Sequence, residues 1–420
     1  MFKNYVKLIF RNLWKHKTTS AINLLGLTIG IGCSLLLLLY VNFERSYDSN
    51  VKDGERVYRI RNKETGSNGR TIALSEEYDF DDLRENYPQI EENLKLRDFN
   101  YNMYPQGEVK KKTDVKFLFA TENFFDFFNQ PIVSGNPESL LSDPSSIVIT
   151  EELAERLFGR TDVLGETITV DATFFMTYRK DLIITGVTKK VENSHIQFEA
   201  VINWDMANSD GVKVADAFFG SMYNYVKLNV GSSIDGVADE MNLKLAAKDP
   251  NADYINVFQP LADIYLGSND VSFSGAETGN IQTINTLFYV ALVILIIACI
   301  NYINLQTAKG SKRALEVGVK KVFGANRRGL MAQFMAESLL ITFIAACFAI
   351  LFLDLALPGF NNLTDKNFTI QSLLSNGLVS SLLVIYLCTA FLSGAYPAFV
   401  LSSFKPSSVL KSKNASSPGH

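Results

Sequence analysis

Four long apolar runs punctuate the chain, at about Ala21–Val41, Thr286–Leu305 (core LFYVALVILIIACI), Leu330–Leu357 and Leu373–Leu401. Each reaches the ~20 residues a helix needs to cross a bilayer. Some 240 residues between the first two runs follow a different pattern. Short alternating or apolar stretches there predict strands: ERVYRIR (55–61), VKFLFA (115–120), SIVIT (146–150), ETITVDATFF (166–175), LIITGV (182–187) and FEAVIN (198–203). Helical stretches interleave, EEYDFDDLREN (76–86) and EELAERLFG (151–159), the second with Gly159 placed as a C-cap. Mixed elements in irregular order predict an α+β domain. The fold class is therefore a membrane protein, four transmembrane α-helices plus a large extracytoplasmic α+β domain between helices 1 and 2.

Charge gives the orientation. Residues 1–18, 306–329 and 402–420 together carry a net +14, whereas 42–285 carries −16. Lys and Arg in short loops mark the cytoplasmic side, so both termini and the loop after the second span are placed inside. The segments read as an interfacial elbow (1–20), TM1 (21–41), the outer domain (42–285), TM2 (286–305) and a basic inner loop (306–329). TM3 (330–357), a short outer link (358–372), TM4 (373–401) and a cytoplasmic tail (402–420) complete the chain. In the elbow Phe2, Val6, Ile9, Phe10 and Leu13 fall at helical spacing among Lys3, Lys7, Arg11 and Lys15, the pattern of a helix lying on a membrane surface. The first run is longer than a signal-peptide core and no A-x-A site follows it, so it reads as a retained anchor.

Composition excludes several functions. The overall charge of −4 is a near cancellation between two sides of a membrane, and it offers no basic face for nucleic acid. Cys33, Cys299, Cys347 and Cys388 all lie in apolar runs at no metal-binding spacing, and read as small buried hydrophobes. His195 is the one histidine of the outer domain and reads as a surface or hydrogen-bonded residue rather than a ligand. The acidic group Glu76, Glu77, Asp79, Asp81 and Asp82 lacks the turn and terminal Glu of a Ca²⁺ loop, and reads as a solvated helix start. No nucleophile elbow, H-E-x-x-H or G-x-x-x-x-G-K-[ST] occurs. The chain is thus read as not an enzyme, with no catalytic and no metal residues.

Mechanism concentrates in SKRALEVGVKKVFGANRRGL (311–330). Arg313, Glu316 and Lys320 share one helix face, where Glu316 can pair with either cation. Leu315, Val319 and Val322 share an apolar side, and Gly324 stops the helix. Such a helix either lies on lipid headgroups or docks into a partner. Elsewhere, Gly26 and Gly30 form a G-x-x-x-G for close helix packing. Glu337, two turns into the third span, either reaches the cations of this loop or snorkels to the inner surface. Asn301 and Asn304 stand at the inner end of the second span.

The segment NYINLQTAKGSKRALEVGVKKVFGA with QFMAESLL resembles the FtsX-like permease module (286–410) of type VII, MacB-type ABC transporters. NYVKLIFRNLWKHKTTSAINLLGLTIGIG and YDSNVKDGERVYRI resemble the start of such permeases. SIVITEELAERLFGRTDVLGETITV and IITGVTKKVENSHIQFEAVI resemble their MacB-like periplasmic core domain, and SGAYPAFVLSSFKPSSVLK the end of the fourth span. The resemblance implies a permease subunit of the bacterial inner membrane that passes the ATP-driven closure of a separate ABC ATPase outward. Outer domains on helical stalks would turn that stroke into export, efflux or lipoprotein release. It implies Arg313, Glu316, Gly318, Lys320, Lys321, Gly324 and Ala325 as the ATPase-coupling helix. No cofactor is expected in this chain, ATP and Mg being bound by the partner ATPase. The other implied partners are membrane lipid, a periplasmic adaptor, and a second permease module from this chain or another, since many such relatives carry two and this sequence carries one. The alternative is a membrane scaffold or sensor whose outer domain binds a ligand or controls a cell-wall hydrolase.

Overall fold

The computed structural model describes residues 17–66, 69–76, 83–171, 179–208, 221–272, 274–308, 310–371 and 378–403. These form two compact units, residues 43–281 and a helical unit of 1–42 with 282–420. The elbow at 1–16 and the acidic residues Glu77, Asp79, Asp81 and Asp82 fall outside the described residues.

The outer unit is built on one mixed sheet. Its strands are β1 (Val57–Glu64), β2 (Thr71–Ile72), β3 (Ser75–Glu76), β4 (Ile90–Pro105), β5 (Thr113–Ala120), β6 (Ile132–Gly135) and β7 (Ser146–Thr150). The rest are β8 (Thr167–Asp171), β9 (Arg179–Thr188), β10 (Ala200–Asn203), β11 (Ser221–Leu228), β12 (Tyr254–Pro260) and β13 (Val271–Ser272). The order is β13-β2-β1-β11-β4-β5-β10-β7-β9-β6, with β12 on β1, β3 on β11, and β8 joining β4 to β9. Most pairs are antiparallel, but β10–β5, β7–β9 and β13–β2 run parallel.

The period of two sorts the core. Leu118, Val148 and Val201 face one side with Phe124, Phe128 and Tyr225. Their neighbours Phe117, Ile147, Ile149, Ala200 and Ile202 face the other with Leu153, Leu157 and Ile168. Because both faces are covered, all five residues of β7 are buried, which is why SIVIT lacks a polar alternate. Helix α1 is Lys17–Arg45 and α2 is Glu151–Phe158. The Thr150 hydroxyl caps α2 by accepting from Leu153 N at 3.2 Å, and Gly159 closes it at φ 70. Helix α3 (Ile234–Lys248) buries only Val237 and Met241.

Three sequence expectations need correction. Glu76 belongs to a short strand and only Leu83–Asn86 of the expected 76–86 helix is helical among the described residues, because Ser75–Glu76 pairs with β11. The first strand begins at Val57, since Gly54–Arg56 turns as 3-10 helix. And β4, sixteen residues of largely polar sequence, was not anticipated.

The helical unit contains α1, α4 (Ile281–Ala308), α5 (Gly310–Val322), α6 (Arg327–Thr364) and α7 (Leu378–Ser403). Four of them are long and apolar enough to cross a membrane, α1, α4, α6 and α7. At 1.5 Å per residue α4 extends about 42 Å, more than the ~30 Å of a hydrocarbon core. Helix α6 runs past the expected end of the third span into the 358–372 link and closes on Asp365 at φ 50. The Asn361 side chain there accepts from Phe368 N (3.1 Å) and donates to Phe368 O (2.9 Å). Of the cysteines only Cys299 is buried, while Cys347 and Cys388 stand on exposed helix faces. A face turned to lipid suits a thiol as well as a core does, so apolar sequence context did not distinguish the two.

Candidate functional site

Helix α5 forms because Ala314, Leu315, Val317 and Val319 alternate with charges at helical spacing, and it ends where Gly324 takes φ 92. Gly324 N and Ala325 N then donate back to Lys321 O (3.0 Å) and Lys320 O (2.9 Å). Asn326 starts α6, its side chain accepting from Gly329 N at 2.7 Å. A turn of four residues thus fixes α5 against the next helix.

The two faces of α5 differ. Val317 is buried with Leu330 and Phe334 of α6 and Ala398 of α7, and Gly318 and Ala314 are buried beside it. Lys321 Nζ donates to Ser402 O at 2.7 Å, and Arg327 Nε to Ser402 Oγ at 3.4 Å, with the guanidinium 4.8 Å above the Phe399 ring. Cations on the last carbonyls of α7 suit the negative end of its dipole. On the outward face Val319 is 43%, Val322 64% and Phe323 85% exposed. Glu316 and Lys320 border this edge as an i,i+4 pair at 2.7 Å, Lys320 also reaching Gln333 Oε1 at 3.1 Å. Arg313 lies on the same helix, its side chain outside the described set.

The structure therefore brings Glu316, Gly318, Lys320, Lys321, Gly324 and Ala325 into one element. Sequence reasoning missed Phe323, the most exposed aromatic of that edge. The signal was available: 315, 319 and 322/323 are one helical stripe. It also missed the Lys321 and Arg327 contacts with Ser402, which no local pattern reveals.

Gly26 and Gly30 serve packing within the chain. A Cβ on Gly30 would stand 2.4 Å from Ala298 Cβ of α4, and one on Gly26 would stand 3.0 Å from Asn301 Nδ2. One turn further, the Ser34 hydroxyl donates to Ala291 O at 2.9 Å. This small-residue stripe seats α1 on α4, and Gly32 meets Phe352 of α6. Glu337 is buried, 8% exposed, so it does not snorkel to water.

In the outer unit no group of three or more His, Cys, Asp or Glu able to hold a metal occurs among the described residues. His195 is fully buried and hydrogen-bonded, its Nε2 2.9 Å from the Tyr225 hydroxyl.

Two family models match this architecture, a MacB-like periplasmic core domain over residues 20–243 and an FtsX-like permease C-terminal segment over 288–406. The chain belongs to the family of MacB/FtsX-like ABC transporter permeases. YknZ of Bacillus subtilis (strain 168), an uncharacterized ABC transporter permease, is 24% identical over 81% of this chain and 82% of its own length. MacB of Neisseria gonorrhoeae, a macrolide export ATP-binding/permease protein, is 24% identical over 53% of this chain but only 32% of its own length. The periplasmic region of MacB from Actinobacillus actinomycetemcomitans aligns in structure over 51% of this chain and 92% of that one, at 11% identity and TM-score 0.36.

Proposed function

We propose that this chain is the membrane subunit of an ABC transporter, a transmitter rather than a conduit. A separate ATPase seats on α5 and its ATP-driven movement is passed through the spans to the outer unit. The transporter sits in a bacterial inner membrane with both termini and α5 in the cytoplasm, an orientation supported by the Lys and Arg of the short segments 1–18, 306–329 and 402–420. The work done outside belongs to export, efflux or lipoprotein release.

The observation that carries this reading is the two-faced α5. One face is locked to α6 and α7 through Val317 and Lys321, and the other offers Val319, Val322 and Phe323 to something else. Lone exposed apolar residues need no explanation, but a contiguous stripe rimmed by charges marks a contact surface. Glu316 and Lys320 give that surface its polar rim. The MacB relatives carry ATP-binding and permease functions in one chain, by their name, and this chain matches about a third of that length. In the proposed transporter an ATP-binding partner and a second permease module complete the assembly.

The test is co-purification from membranes followed by ATPase assay. The wild type should retain an ABC ATPase. Glu316→Lys and Gly324→Val should be made and inserted normally yet lose stimulation of ATP hydrolysis. Full activity in both variants would remove α5 from the mechanism. Recovery of no ATPase in several detergents would favour the scaffold or sensor reading.

A further inference from the structure

The chain enters the outer unit through residues 43–51 and leaves it through 274–281. Both passages are held to the sheet by one buried network. Asp48 takes a left-handed conformation (φ 59), and its N–H donates to Asn193 O at 2.8 Å. Its Oδ1 accepts from His195 N (3.1 Å) and Ser194 Oγ (3.2 Å), and its Oδ2 lies 2.8 Å from His195 Nδ1. On the other side of the ring His195 Nε2 is 2.9 Å from the Tyr225 hydroxyl on β11. Burial pushes the Tyr225 phenol far above its ordinary range, Arg59 opposing this by charge and by a hydrogen bond to the same oxygen. Arg59, on β1, then donates to Gln259 Oε1 (2.8 Å), Ser268 Oγ (2.9 Å) and Ser274 O (2.9 Å).

Asp48 Oδ2 and His195 Nδ1 meet as a 2.8 Å contact, and the hydrogen bonds run through Asp48 Oδ1, His195 Nε2 and the two Arg59 Nη atoms. His195 Nδ1 faces Asp48, and its Nε2 shares a hydrogen bond with the Tyr225 hydroxyl. None of the four side chains is more than 4% exposed. Asp, His and Tyr are general acid–base groups elsewhere, but no substrate reaches a set so enclosed.

The outgoing passage returns to the same place. Glu277 N donates to His195 O at 2.8 Å. Gly275, at φ 60, crosses the Tyr223 ring so closely that a Cβ would stand 2.0 Å from Cζ. Gly279 N donates to Tyr265 O at 2.8 Å, and Tyr265 stacks on Tyr47 and donates to Glu44 Oε2 at 2.6 Å. The passages are thus linked twice, through His195 and through Tyr265.

We infer that the Asp48–His195–Tyr225–Arg59 network is the joint that makes both membrane passages move as one piece with the β1–β11 sheet, and that His195 is its positioning residue. This rests on the transmitting-permease reading. A stroke arriving along two separate chain passages reaches the sheet as one displacement only if neither passage slides against the other. Buried hydrogen bonds give that rigidity, because a slip leaves a buried group without its partner.

Amide exchange of the full-length protein in lipid nanodiscs, read by mass spectrometry, tests the joint without the ATPase. His195→Ala should speed exchange about tenfold at both 47–51 and 274–279, leaving β7 and β9 unchanged. His195→Asn, whose amide reaches the Nδ1 position, should restore protection at 47–51 alone. His195→Gln, whose amide reaches the Nε2 position, should restore 274–279 alone. Faster exchange at only one passage in the alanine variant, or rescue of both by either amide, overturns the proposal. If His195→Ala loosens β7 and β9 as well, Tyr225→Phe decides, because it removes a single oxygen: faster exchange at 274–279 supports the joint and unchanged exchange overturns it. Failure of the transmitting reading looks different, with both passages protected in the wild type and unmoved by ATP in the complete transporter.

Discussion

On the reading proposed above, the outward edge of α5 and the network around His195 are the two places through which a stroke would pass, and they are built in opposite ways. The edge is presented: Val319, Val322 and Phe323 are exposed, and the one ion pair beside it, Glu316–Lys320, is half in solvent. The network is concealed, with Asp48, His195, Tyr225 and Arg59 closed off from water. Residues that meet a partner contribute little to their own fold, whereas residues that carry force inside the chain contribute to it directly. Variants at the first place should therefore alter association and leave stability alone, and variants at the second the reverse.

The largest effect is expected at Arg59. Arg59→Ala takes the buried guanidinium from Gln259 Oε1 and Ser274 O, at a cost of about 1–3 kcal/mol for each group left unsatisfied. A thermal or urea transition of the detergent-solubilised chain, followed by circular dichroism, should shift accordingly, with β-sheet signal lost first. An unshifted transition would mean that the network is not part of the stability of the unit. Next comes Phe323→Asp. An exposed aromatic anchor at the centre of a contact contributes about 2–4 kcal/mol to association, so binding of the co-purifying ATPase should weaken at least thirtyfold with no change in melting. Equal loss of stability and binding would erase the distinction between the two places.

Gly30→Leu sharpens the comparison from inside the spans. Its Cβ would fall 2.4 Å from Ala298 Cβ, so α1 and α4 must separate. Overpacking of this kind costs about 1–3 kcal/mol, read as a lower melting temperature together with lower transport activity. The smallest effect belongs to Glu316→Gln. A partly exposed i,i+4 pair contributes about 0.3–0.5 kcal/mol and is screened by salt. Melting should move by about a degree or less while ATPase stimulation falls, as the scale for domains of this size implies.

The presented region was legible in the sequence and the concealed one was not, for a physical reason. Helix α5 is a local object: the spacing of Leu315, Val319 and Val322, the charges between them and Gly324 after them are all within fifteen residues. The spans are equally local, since apolar length alone defines them. Strand β7 was readable because burial on both faces leaves an unbroken apolar run. By contrast β4 reads IEENLKLRDFNYNMYP, with polar residues on half-exposed positions, and only its pairing with β5, β8 and β11 makes it a strand. Asp48 and His195 stand 147 positions apart, and Arg59 and Ser274 stand 215 apart. A lone histidine carries no local sign of such partners, and the sequence alone supported only the reading of a surface or hydrogen-bonded residue, of which burial removes the first.

The central claim is that what happens on α5 is felt at the roots of the outer unit, and one measurement addresses it. Amide exchange of the complete transporter would be compared without nucleotide and with a non-hydrolysable ATP analogue bound to the ATPase. Exchange at 319–323 should slow on association, and nucleotide should then change exchange at 47–51 and 274–279 together, in the same direction. Nucleotide-dependent change at α5 with none at either passage would contradict the account.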